Sequence, residues 1–154
     1  MEKIKTLFIF EVMGKPPEHI KKALEDFIED LGKQETIEVS NKKIHEPKKI
    51  DKEGVDLYTT FAEVEVLSDD LISLFYVVLN HLPSNVEILK PSELNMKNFE
   101  ASEILSQLAV KLHNYDEVAK VLSFERNNLQ ERIKKLENRI KELESIKEIE
   151  SKDE

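Results

Sequence analysis

Apolar and polar positions change rhythm several times along the chain. TLFIFEVM, residues 6–13, is a compact apolar run that stops at Gly14 and the pair Pro16 and Pro17, which predicts a buried strand with its stop signal. In PEHIKKALEDFIEDLGK the positions Ile20, Leu24, Phe27, Ile28 and Leu31 share one helical face, with Pro17 in the first turn and Gly32 as a stop. TIEVSNKKI, from Thr36, alternates Ile37 and Val39 with polar residues, and after the charged loop HEPKKIDKEG the stretch VDLYTTFAEVEVL alternates again through Val66. SDDLISLFYVVLNHL reads as a second helix, capped by Ser68 or Asp69 and apolar over most of its circumference. Pro83 ends it before a short strand at residues 86–89. The predicted order is β-α-β-β-α-β.

That order is the ferredoxin-like pattern of an α+β sandwich, an antiparallel sheet with two helices on one face, here assigned to residues 1–95. After Pro91 the chain has neither Gly nor Pro, and a helical period runs from about Asn98 to the end, with candidate breaks at residues 114–116 and at Asn127 and Asn128. On the third strand Ala62, Val64 and Val66 are assigned to the core, leaving Phe61, Glu63 and Glu65 on the open side. The first strand is apolar on both faces, Leu7 and Ile9 alternating with Phe8, Phe10 and Val12, so it predicts burial on both sides. Phe8 and Phe10 are placed on the open face beside Phe61, as a minor core under a third helix. The segment 96–115, with Ile104 to Leu112 at its centre, is the predicted cover of that face; the same face of a second subunit is the alternative. Residues 116–154 form an arm with a frayed acidic end.

The arm has a heptad register. Leu122, Leu129, Leu136 and Leu143 at d put Ile133 and Ile140 at a, the β-branched-a, Leu-d combination that favours parallel two-stranded coils. Backwards, the frame continues through Ala119, Tyr115, Leu112, Leu108 and Leu105, and only Arg126 and Lys147 interrupt it. Arg132 and Arg139 fall at g, with Glu137 and Glu144 at the following e positions, so parallel, in-register partners would pair Arg with Glu across the interface. An antiparallel pair would tend to oppose like charges. The bland reading is an isolated charged helix, or one folded back at Asn127 and Asn128.

Composition narrows the partners. The chain has 154 residues and a formal net charge of -9, so its field as a whole repels phosphate backbones and anionic lipid. Charged residues make up 36%, well above the usual quarter, which fits a long solvated helix. Without cysteine there is no disulfide, thiolate zinc site or cysteine nucleophile. The apolar run near the start is too short to span a bilayer and holds Glu11, so the expectation is a cytoplasmic protein without a membrane partner.

Candidate chemistry is sparse. Glu11, Glu63 and Glu65 lie on strands that can be neighbours, and His45 with Glu46 lies near a strand end; carboxylates and imidazole bind divalent cations or act as acid and base, but nothing in their spacing defines a site. His19, His81 and His113 each lie on predicted helices and read as ordinary surface or boundary residues. None of the three glycines stands in a phosphate-loop spacing, and there is no nucleophile elbow. The expectation is no catalytic residue, no metal and no cofactor.

Two local resemblances remain. LFIFEV resembles the strand-one signature of the RNA-recognition motif, with Phe8 at a stacking position, and TTFAEVEV resembles its strand-three octamer, with Phe61 at another. The departures are Glu63 where a second aromatic belongs, Glu65 on the same face and Thr59 in place of a basic residue; carboxylates there repel a backbone whose bases stack on aromatics beside positive charge. Residues 81–115 resemble the ferredoxin-like C-terminal extension of WYL-type transcriptional regulators through Val86, Glu87, Ile88, Leu89, Pro91, Leu94 and Tyr115. That resemblance implies a sensor or regulatory module and identifies no ligand residues. The reading is a non-enzymatic regulatory or scaffolding module, a homodimer through its C-terminal helix or docked by it to another helical protein. A small-molecule sensor and a degenerate RNA-binding module are the alternatives.

Overall fold

The computed structural model describes residues 3–51, 54 and 56–150. The acidic end at 151–154 and part of the charged loop at 52–55 lie outside the described residues. The elements are β1 (Ile4–Gly14), α1 (Pro17–Leu31), β2 (Ile37–Ile44), β3 (Lys48–Lys49), β4 (Tyr58–Ser68), α2 (Leu71–His81), β5 (Asn85–Lys90) and α3 (Asn98–Glu150). The chain divides into two compact units, one through Ser106 and one from Gln107.

All five strands form one antiparallel sheet in the order β2-β4-β1-β5, with the short β3 also paired to β4. The β1–β4 ladder is the spine of the sheet, unbroken from Ile4 opposite Ser68 to Gly14 opposite Tyr58. Directly paired residues point to the same face of a sheet. Pairing Phe8 with Val64 and Phe10 with Ala62 therefore sends all four side chains the same way.

α1 and α2 cover that face. α1 buries Ile20, Leu24, Ile28 and Leu31, spaced by one helical turn. Its first turn is closed by the Pro16 carbonyl, which accepts from His19 N at 3.1 Å. At Gly14, where β1 ends, an added Cβ would lie 3.0 Å from Ile20 Cγ2, so a larger residue there requires the Ile20 side chain to shift. α2 is capped by Asp70, whose carboxylate accepts from Ser73 N at 2.7 Å and from Ser73 Oγ at 3.0 Å. The cap falls after the expected Ser68 or Asp69, because Ser68 completes β4 and its hydroxyl donates to Asp70 O. The helix ends at Leu82 in a left-handed conformation, its N–H donating to Val78 O at 3.0 Å, and Pro83 follows.

The core unites Phe8, Phe10, Leu24, Ile28, Val64, Val66, Leu74 and Val77. Phe27 meets Phe10 edge-on at 4.8 Å between ring centroids. Two expectations are corrected here. Phe8 is fully buried and Phe10 is 4% exposed, both under the helices and not on the open face. The chain leading into α3 and Ile104 within it do not face the open side either, since Met96 and Ile104 line a cavity with Leu71, Leu74 and Val78 of α2. The reason is the ladder: β1 is apolar on both sides, and its pairing with β4 decides which side is core.

His81, at the end of α2, packs edge-on to Phe27 at 5.2 Å and lies 3.1 Å from Gln34 Nε2. Burial holds its pKa below the ordinary value of 6.5, because the charged form is poorly solvated there. The unfolded chain therefore takes up this proton first on acidification. The stability tied to neutral His81 is present above pH 6.5 and is lost as pH falls through the lower folded value. His81→Gln is expected to flatten the fall in melting temperature between neutral pH and pH ~5 relative to the parent, checked by parallel thermal melts; equal slopes would refute it.

Candidate interaction surfaces

The open face of the sheet carries Lys5, Leu7, Ile9 and Glu11 from β1 and Thr59, Phe61, Glu63, Glu65 and Leu67 from β4, all opposite in parity to the core residues. Of the residues assigned to this face from sequence, Phe61, Glu63 and Glu65 are present and Phe8 and Phe10 are not. Each of the three carboxylates that β1 and β4 place there has a local partner. Glu65 Oε2 lies 2.8 Å from Lys5 Nζ, Glu63 Oε1 lies 2.8 Å from His45 Nε2, and Glu11 Oε1 accepts from Thr59 Oγ1 at 2.7 Å. Glu46 instead meets Lys21 of α1, so the neighbours His45 and Glu46 part company.

The His45 ring stacks on Phe61, 4.0 Å between centroids and 19° between planes. One face of Phe61 is thereby occupied, and Phe8 is out of reach in the core. A base would find neither aromatic free in the way a stacking platform requires. His45 and Glu63 resemble an oriented acid–base pair, yet neither lines the clefts beside α1, α2 and the connection after Pro91. Among the described residues there is no group of three His, Asp or Glu that could hold a metal ion.

The second surface is α3. It is one helix of 53 residues from Asn98 to Glu150, without interruption at residues 114–116 or at Asn127 and Asn128. Uninterrupted sequence free of Gly and Pro allows this, since Asn costs a helix only a few tenths of a kcal/mol. On it the residues assigned to self-association, Leu122, Leu129, Ile133, Leu136, Ile140 and Leu143, are all exposed, from 51% at Leu143 to 64% at Leu136. Among the described residues nothing covers them. Of the flanking charges Arg132, Glu137, Arg139 and Glu144, Arg139 makes an ion pair along its own helix with Glu142 at 3.0 Å. Such an exposed pair is worth at most about 1 kcal/mol and is readily exchanged for another.

Sequence reasoning missed a third feature, a cleft bounded by α2, β5, the connection after Pro91 and the start of α3. Its signals were the apolar pair Val86 and Ile88 on an edge strand and Met96 in a connecting loop. In addition, Thr6 Oγ1, wholly buried on β1, has no hydrogen-bond partner among the described residues.

These surfaces define a class, an antiparallel α+β domain continued by a long C-terminal helix, and none of its described helices is long and apolar enough to cross a membrane. The chain belongs to the MJ0538 family, whose family model matches residues 5–150. That span takes in all of the sheet but its first residue and the whole of α3, so the long helix is part of what the family model covers. No curated protein and no solved structure matches the chain.

Proposed function

We propose that the protein is a non-enzymatic regulatory or scaffolding module of the cytoplasm that dimerises through a parallel coiled coil of α3. The domain it carries is of the ferredoxin-like kind. Strand order supports this: leaving aside the two-residue β3, the order β2-β4-β1-β5 with helices after β1 and β4 is that of a split βαβ unit.

The observation that carries the reading is the exposed seam. A helix polar all round can stand in solvent, but rows of Leu and Ile at a and d on an otherwise charged helix lose the hydrophobic gain unless a partner covers them. Roughly three heptads lie between Leu122 and Leu143, near the lower limit for a stable coil. The register continues back to Leu105, which lengthens the available seam. Orientation follows from charge, because Arg132 and Arg139 meet Glu137 and Glu144 of the other strand only in a parallel arrangement. The net charge of -9 and the occupied face of Phe61 favour a protein partner over nucleic acid.

The test is a charge swap followed by sedimentation. Reversing Arg132 and Arg139 to Glu is expected to weaken the dimer by a few tenths to about 1 kcal/mol per pair lost. Adding Glu137→Arg and Glu144→Arg is expected to restore it. Restoration requires parallel, in-register strands; a dimer that ignores both sets of changes refutes the arrangement.

A further inference from the structure

The two edges of the sheet differ. β2, at one end, carries Lys42 and Lys43 in succession and a register shift against β4 between Val39 and Asn41, two features that keep an edge strand from pairing with another chain. β5, at the other end, has neither over residues 85–88, where its pairing with β1 is regular. All six of its residues are exposed, Val86 and Ile88 to 41% each. β1 is its only strand partner, and among the described residues no backbone hydrogen bond outside that ladder reaches Asn85–Lys90. An edge strand turns a row of N–H and C=O groups outward, and on β5 that row is open to a further strand.

Beside the same strand lies an apolar hollow of about 180 Å³, walled by Leu74, Phe75 and Val78 of α2, by Val86 and Ile88 of β5 and by Met96. Directly paired residues share a face, so side chains of a strand added to β5 opposite Val86 or Ile88 would point to the hollow's side of the sheet. The hollow has room for one apolar side chain, since a void of about 150 Å³ holds a benzene ring. The intervening residues of the added strand would turn to the other face, beside Glu87, which pairs with Leu7 on the open side.

We propose that β5 is a docking edge for an extended segment of another protein, which adds a strand to the sheet and seats an apolar side chain in the hollow. Backbone groups along the edge supply affinity, and the hollow selects segments with apolar residues at alternate positions. Edge and hollow point to the same occupant. A small molecule in the hollow would leave the outward N–H and C=O groups of β5 unused, and a helix, whose own backbone groups are already bonded, cannot pair with them. The same strand of a second copy fits less well. In a two-fold antiparallel pairing centred on Glu87 the two carboxylates oppose each other, and one centred on Ile88 meets the register shift beside it. The site stands independently of the coiled coil, because all of its residues precede Gln107.

The experiment selects binders to the full chain from a phage-displayed library of random short peptides and then measures affinity and amide hydrogen exchange with the selected peptide. Enriched sequences are expected to carry apolar residues at every second position, and the bound peptide to slow exchange at residues 85–90. Methylating the peptide's backbone nitrogens one at a time should weaken binding at alternate positions only, as pairing along one edge requires. Val86→Lys, which brings a charge to the hollow from a position already 41% exposed, should weaken binding by at least about tenfold, the loss of one buried apolar contact, while preserving the melt. Glu87→Lys, on the opposite face of the same strand, should weaken it far less. No enrichment, apolar residues at a helical period, unchanged exchange at residues 85–90, or equal losses in the two variants overturns the proposal. Exchange at residues 85–90 of the free chain that speeds up on dilution overturns it too, and assigns the edge to a second copy of the chain.

Discussion

Leu136→Asp combined with Ile140→Asp is expected to convert a dimer to a monomer without unfolding the domain. In the single chain these side chains are 64% and 55% exposed, so replacing them removes no contact within the globular unit. In a coiled dimer they occupy adjacent d and a layers, and each strand would bring two carboxylates into an apolar interface with no basic partner. Desolvating an unpaired charge costs several kcal/mol, and every 1.4 kcal/mol is a factor of about ten in the dissociation constant. A weakening of at least about a thousandfold follows. Analytical ultracentrifugation at micromolar protein shows the change in mass, and the domain's melt serves as the control. A wild-type chain that is already monomeric would make α3 a docking helix for another protein. A double variant that remains dimeric would place the interface elsewhere.

The second large effect lies in the core. Phe8→Ala removes a fully buried ring that sits opposite Val64 in the middle of the β1–β4 ladder and 5.8 Å from Phe10. Truncations of this kind cost about 3–5 kcal/mol, a large share of the roughly 5–15 kcal/mol that holds a domain together. Phe61→Ala removes a half-exposed ring stacked on His45 and is expected to cost markedly less. Urea melts of the two variants measure the difference directly. Were Phe61→Ala the more damaging, the two faces of the sheet would have to exchange roles.

The order of the elements was legible because it rests on local rules. A strand stops at Gly14 and Pro16, α1 begins at Pro17, and Pro83 follows the end of α2, each for reasons that involve only neighbouring residues. The core parity of β4 was legible as well, since Ala62, Val64 and Val66 alternate with charged Glu63 and Glu65. The heptad spacing of Leu and Ile along α3 is a periodicity of the sequence itself.

What only the tertiary structure decided was the choice between equals. β1 offers Phe8 and Phe10 on one side and Leu7 and Ile9 on the other, so burial preference alone ranks neither. The ladder that sets Phe8 against Val64 settles it, because paired residues share a face and that of Val64 was already core. In the same way Ser68 is claimed by β4, which moves the helix cap on to Asp70. Met96 and Ile104 come to lie beside Val86, Ile88 and α2, a meeting of separate elements that no spacing along the chain encodes. Periodicity fixes which residues of one element point together; which of two apolar faces becomes the interior depends on long-range pairing, and that exists only once the strands have met.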